Sequence, residues 1–162
     1  MYKLKSKILV IFVILTLVSS YLLAYTNVSN FNPKYGTLTS RTNFREKPST
    51  SSSVISVLAK NTQVKMVGEI SNFYIVQLGN NQVGYVSKDY VKSSSKAPSG
   101  AATYENMTAK IATISGDSVN LRRGPSTSFS KVTKLSNGQK VKVIGKINDF
   151  YLAITEDNTV GM

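Results

Sequence analysis

The 162-residue chain contains no cysteine and no histidine. Those absences remove disulfides, thiol nucleophiles and the commonest metal ligand at once, and no metal site or cofactor is expected. They say nothing about redox compartment, because a chain without cysteine simply uses no staple. Tryptophan is also missing, and 8 acidic residues face 20 basic ones, for a net charge of +12. Such a surplus favours a polyanionic partner: nucleic acid, anionic lipid or an acidic cell-surface polymer. A basic surface kept only for solubility is the plainer reading of the same number.

What the chain does contain is a duplication. Residues 42–51 (Thr-Asn-Phe-Arg-Glu-Lys-Pro-Ser-Thr-Ser) return as residues 119–128 (Val-Asn-Leu-Arg-Arg-Gly-Pro-Ser-Thr-Ser), so Asn43 falls on Asn120 at an offset of 77. The same offset carries Leu58 onto Leu135, Gly68 onto Gly145, Phe73-Tyr74 onto Phe150-Tyr151 and Val83-Gly84 onto Val160-Gly161. From Asn43 to Tyr85 no gap is needed and 17 of 43 positions are identical, so the chain is two copies of one module of about 60 residues. A module that small buries only about 60% of its unfolded surface and needs a compact fold with short loops.

Taken in order, the chain begins with Lys3, Lys5 and Lys7, then an apolar run from Ile8 to Val18 and a mixed stretch to Tyr25. A positive segment followed by a short apolar one is the pattern of a secretory signal. Leu22 is a poor fit to the small residue expected before a cut after Ala24, and about 18 mostly apolar residues also suffice for an uncleaved membrane anchor. Residues 1–25 are therefore expected to form a hydrophobic leader helix, a signal peptide or an anchor. Either way the rest of the chain is delivered outside the cytoplasmic membrane. Loss of the three lysines on cleavage would lower the charge from +12 to +9.

Residues 26–35 read as a polar spacer and 36–91 as the first module. Short runs of alternating or β-branched residues at 37–39, 43–45, 54–58, 63–67, 73–78 and 82–86 are bounded by turn signals such as Gly79-Asn80-Asn81. Residues 87–91 read as one helical turn and a last short strand. Residues 92–107, rich in Ser and Ala, are expected to be a flexible linker. The second module, 108–162, repeats the order, but Met162 falls where Tyr85 lies, so nothing matches residues 86–91. Many short strands without helical periodicity give an all-β chain of two tandem small antiparallel barrels. The second barrel is expected to be incomplete, with an unpaired edge and an uncovered apolar face, and loosely folded by itself.

Val119-Asn-Leu-Arg-Arg-Gly-Pro-Ser-Thr127 resembles the opening motif of bacterial SH3-like (SH3b) domains, which typically reads V-N-x-R-x-G-P-S-x. Gly138-Gln-Lys-Val141, Asn148-Asp-Phe-Tyr151 and Val160-Gly161 resemble that family's later elements. So do Asn72-Phe-Tyr74, Gly84-Tyr-Val86 and Tyr90-Val91 of the first copy. The two copies cover about three quarters of the chain. Phe73, Phe150 and Tyr85 stand where the family usually has tryptophan, and Glu46-Lys47 replaces the usual x-Gly before proline. The resemblance implies non-catalytic wall-targeting modules of the kind found beside peptidoglycan hydrolases, with peptidoglycan as partner. Anionic wall polymers are a further candidate partner, and a monomer in a Gram-positive envelope is expected.

Candidate ligand contacts follow from strand position. Asn43 and Arg45, with Asn120 and Arg122, alternate with Phe44 and Leu121, so they face away from the core or organise the adjacent loop. Tyr74 and Tyr151 follow Phe73 and Phe150, taken as core residues, and are expected to point outward. Tyr85 and Tyr90 are core-closing aromatics or ligand contacts. Catalysis is not expected. Cys–His pairs and histidine-held zinc are impossible, and no acidic pair suggests a glycosidase. Ser93-x-x-Lys96 and Ser128-x-x-Lys131 match S-x-x-K only in loop sequence without companion motifs. Charge alone also fits single-stranded nucleic acid, which the leader argues against. A membrane-anchored sensor or adhesion protein and a purely electrostatic binder of wall polymers are the alternatives.

Overall fold

A computed structural model describes residues 30–162. The expected leader helix and residues 26–29 of the spacer lie outside the described residues, and the end of the spacer, Lys34 and Tyr35, is already part of the first strand. Among the described residues no helix is long and apolar enough to cross a membrane. The first copy forms β1 (Lys34–Leu38), β2 (Thr42–Arg45), β3 (Val54–Leu58), β4 (Gln63–Ile70), β5 (Phe73–Gln77) and β6 (Val83–Ser87). One 3-10 turn (Lys88–Tyr90) and β7 (Val91–Ser94) follow. The second forms β8 (Tyr104–Thr113), β9 (Val119–Arg122), β10 (Lys131–Leu135), β11 (Lys140–Ile147), β12 (Phe150–Ile154) and β13 (Val160–Gly161).

Every pairing is antiparallel. In the first copy the strand order is β3-β2-β6-β5-β4-β1-β7; in the second, β13-β12-β11-β8 and β10-β9. Two backbone bonds of 2.8 Å between Arg122 and Met162 join those last two sheets, at the place where Arg45 pairs with Tyr85 in the first copy. Asn61, Asn81, Asn148 and Asn158 turn with positive φ, which asparagine tolerates better than branched residues do.

The central strands of each copy have two apolar faces. One face fills the barrel itself: Phe44, Val64, Met66, Val76 and Val86 in the first, Leu121, Leu135, Val141, Val143 and Ala153 in the second. The other faces meet each other. Val67, Ile70, Phe73, Ile75, Val83 and Tyr85 pack in one cluster with Tyr104, Ile144, Ile147, Leu152, Ile154, Val160 and Met162. Matching β-bulges make this possible, between Met66 and Gly68 and between Val143 and Gly145. An extra residue there reverses which side chains face which way. Val64 and Met66 therefore enter the barrel, while Val67 and Ile70 enter the seam between copies.

Two expectations change accordingly. Phe73 is not part of its own barrel's interior but faces the other copy, and Tyr74 lies on the same side as Val76, packed against the barrel core. Residues 92–107 are not a free linker. β7 and β8 take both ends of the segment. Between them Ala102 donates its N–H to Asn81 Oδ1 (2.6 Å), and its carbonyl accepts from Gln77 Nε2 (2.9 Å). Polar composition concealed this because amide hydrogen bonds hold the middle of the segment, while Ala102 and Tyr104 reach the shared core cluster.

Polar contacts frame the seam. Tyr85 donates its hydroxyl to the Asn158 carbonyl (2.9 Å), and Val83 N–H bonds the Arg123 carbonyl (2.9 Å). Arg123, 4% exposed, meets Glu46 at 2.8 Å. Burial lowers the Arg123 pKa while Glu46 opposes that shift. Lys47 reaches Asp157 at 2.6 Å. Burial alone would raise the Asp157 carboxyl, but hydrogen bonds from Lys47, Thr155 and Thr159 outweigh it and hold the group well below the ordinary carboxylate range.

Two outcomes follow. Tyr85→Ala should cost about 3–5 kcal/mol, the usual loss for a buried aromatic, and should shift one single unfolding transition. In urea melts followed by circular dichroism, a second transition left at the original midpoint would mean that the copies unfold independently. The depressed Asp157 carboxyl contributes stability above its unfolded pKa of about 3.9 and loses it as pH falls towards its folded value. Stability should therefore fall below about pH 4 less steeply in Asp157→Asn than in the parent chain. Urea midpoints measured across that range would read the difference.

Candidate ligand clefts

β2 exposes what it does not bury. Thr42 and Phe44 point inward, so Asn43 is exposed and Arg45 half-buried on the outer side. The 3-10 turn brings Tyr90, 45% exposed, to the same place. Asn43, Arg45 and Tyr90 together line an open cleft of about 520 Å³, with Arg41, Phe73 and Asp89. Three of the eight residues singled out from sequence thus converge, from stretches more than 40 positions apart.

Charges in this cleft are partly committed. Arg45 Nη1 donates to the Ser52 carbonyl at 2.6 Å, and Ser52 Oγ accepts the Lys47 N–H at 2.9 Å, which fixes loop 46–53. Arg122 repeats the arrangement with the Phe129 carbonyl at 2.9 Å. Both arginines therefore act as loop organisers, and Arg45 in addition lines the cleft. Asp89 Oδ2 accepts from Asn72 Nδ2 (2.9 Å) and Ser87 Oγ (3.1 Å), which holds a carboxylate opposite Arg41 and Arg45. An exposed aromatic, an amide and charges of both signs in one concavity suit a zwitterionic or amide-rich ligand.

The remaining aromatic candidates separate. Tyr85 is fully buried in the seam, where burial raises its hydroxyl pKa, and so cannot touch a ligand. Its strand alternates correctly, but its partner is the second copy. Tyr74 is half-buried beside Phe31, at 6.2 Å between ring centroids, with Lys88 Nζ 5.3 Å from its ring, and lies outside the first cleft. Tyr151 is 55% exposed and lines a second cleft of about 480 Å³ together with Asn120. Asn120 Oδ1 is buried there without a partner among the described residues. Arg122 does not line that cleft.

Sequence reasoning missed Arg41, Asp89 and Arg123. Only Arg123 left a usable trace, since Glu46 and Arg123 occupy equivalent positions of the two copies with opposite charge and prove to be each other's partners. Among the described residues no group of three acidic or metal-ligating side chains could hold a metal ion.

No curated protein matches the chain. Among solved structures it is similar to NlpC2 from Trichomonas vaginalis, at 16% identity and TM-score 0.33, over 80% of this chain and 45% of that one. It is also similar to NlpC1 from the same organism, at 17% identity and TM-score 0.34, over 83% of this chain and 46% of that one. The chain thus spans less than half the length of either. Residues 40–92 and 117–161 each match the bacterial SH3 domain, so the chain belongs to that family and carries it twice.

Proposed function

We propose that the chain is an exported, non-catalytic cell-wall binding protein, and that the cleft of its first SH3 module holds a peptidoglycan segment. The observation that carries this reading is the meeting of Asn43, Arg45 and Tyr90 in one open cleft. Tyr90 supplies a face for a sugar ring or an apolar side chain, Asn43 supplies amide hydrogen bonds, and Arg41 and Asp89 match the opposite charges of a stem peptide. The basic leader supports export to the wall. Set beside hydrolases, as modules of this family commonly are, such a chain would be the targeting part of a wall-hydrolase-type protein. Its basic surplus also favours a second reading, electrostatic attachment to anionic wall polymers without any specific cleft.

Co-sedimentation with purified sacculi at low and high salt separates the two, because screening shortens the reach of exposed charges from about 10 Å at 0.1 M to about 3 Å at 1 M. Binding should survive both high salt and removal of teichoic acid. It should weaken by about tenfold in Asn43→Ala or Tyr90→Ala, the loss expected for one directed contact. Both side chains are exposed, so the fold should be unaffected. Retention that vanishes with salt or stripping would leave charge alone as the cause.

A further inference from the structure

Opposite charges meet in two ways in this chain. Along the seam between the copies they close on one another, Lys47 on Asp157 at 2.6 Å and Arg123 on Glu46 at 2.8 Å. In the first-module cleft they do not. Arg41 and Asp89 are both exposed and line the same concavity, yet neither belongs to an ion pair among the described residues.

Their unused bonding capacity can be assigned atom by atom. The side-chain bonds that Asp89 accepts, from Asn72 Nδ2 at 2.9 Å and Ser87 Oγ at 3.1 Å, both end on Oδ2. They fix the carboxylate and leave Oδ1 open to a further donor. Arg41 makes no side-chain hydrogen bond among the described residues. Arg45 commits Nη1 to the Ser52 carbonyl at 2.6 Å, so its role is fixed by the loop. Val57 and Tyr90, 46% and 45% exposed, add apolar surface to the same cleft.

The repeat separates what the fold needs from what this cleft adds. Asn43 and Arg45 recur as Asn120 and Arg122, but Ser118 stands in the place of Arg41 and Lys134 in that of Val57. β9 forms directly after that serine, so the strand does not need the arginine. Opposite charges that share a concavity without neutralising each other are completed by a ligand that brings the complementary pair. A ligand of neutral amides would leave both unanswered.

We propose, resting on the wall-binding reading above, that this cleft reads the cross-linking state of peptidoglycan. It takes stem peptides whose diamino-acid amine and terminal carboxylate are both free. Asp89 Oδ1 receives the ammonium, Arg41 receives the carboxylate, and alanine methyl groups pack on Val57 and Tyr90. Cross-linking turns the amine of the acceptor stem into an amide and consumes the terminal carboxylate of the donor stem. Either stem of a cross-link therefore loses one of the two charges, and one charge of the cleft is left without its partner. The chain is thereby directed to wall that is not yet cross-linked.

The probe is the stem tetrapeptide L-Ala-γ-D-Glu-L-Lys-D-Ala, with a fluorophore on the N-terminus that the glycan occupies in the wall. It is titrated by fluorescence anisotropy into the full chain held in a mild detergent. A version acetylated on the lysine side chain and a version amidated at the C-terminus are run beside it. Each capped version should bind about fivefold more weakly than the free peptide, the upper range for one exposed ion pair. Asp89→Asn should erase the preference for the free amine and keep that for the free carboxylate. Arg41→Ser, which installs the residue of the second copy, should do the reverse. General loss of folding cannot produce that crossed pattern, because each variant is compared with itself on different peptides. Equal binding of all three peptides, or of none, overturns the proposal, and so does loss of both preferences in each variant. Sacculi still retained through Asn43 and Tyr90 would then leave wall binding standing, whereas loss of sacculus binding as well would remove both.

Discussion

The seam between the two copies is the constraint on which the rest of the structure depends. A barrel of about 60 residues buries too little apolar surface to be more than marginally stable. Here the central sheet of each copy is apolar on both faces, so each barrel interior has a second apolar layer behind it. Tyr85 and Met162, which occupy equivalent positions, both end in that shared layer. At roughly 25 cal/mol per Å² of apolar surface removed from water, thirteen buried side chains in one cluster outweigh any single polar contact at its border. The border contacts decide which arrangement of the two faces is chosen.

Among those border contacts, the charged ones fall where the copies differ. Glu46-Lys47 stands opposite Arg123-Gly124 in the repeat, and the departures from the shared pattern are the groups that reach across: Glu46 to Arg123 and Lys47 to Asp157. A buried arginine is costly to desolvate, and its ion pair is weak evidence for stability. Register is the better account. An apolar seam alone tolerates sliding, whereas a buried guanidinium left without its carboxylate penalises every alternative register. Gly124 serves the same local arrangement differently, since a Cβ there would meet the Phe129 ring at 2.7 Å. The first copy has Lys47 at that place and Ser52 in the place of Phe129, so the loop has room for a side chain.

Much of this was legible in the sequence, and what was not has a physical cause. The duplication, the all-β class, the two barrels and the 3-10 turn before β7 follow from periodicity and turn residues, and three proposed contact residues do share a cleft. The seam was misread because alternation assigns a residue to one side of a sheet without saying what covers the other. Phe73-Tyr-Ile-Val-Gln-Leu78 is apolar almost throughout, as is Phe150-Tyr-Leu-Ala-Ile154, which is the signature of a strand buried on both sides. The adjacent pairs Met66-Val67 and Val143-Ile144, which break strict alternation, mark the bulges where the chain changes sides. Read in that way, Tyr85 belongs to a second apolar face rather than to a ligand.

A packed seam also changes what two modules can do together. Two sites on a flexible tether gain affinity through effective concentration, which falls slowly with linker length. Residues 92–107 are tied down at Ala102 and both ends are strand, so tether length is not the variable here. With the copies joined through one core, their clefts are held at a set separation and orientation. Simultaneous engagement then requires a polymer whose repeat matches that geometry; otherwise the second cleft contributes nothing to avidity. The clefts have also diverged. Charges of both signs line the first, while the second is lined mainly by apolar side chains. Equivalent positions thus present different chemistry, and the chain is better understood as one two-faced unit than as the same module used twice.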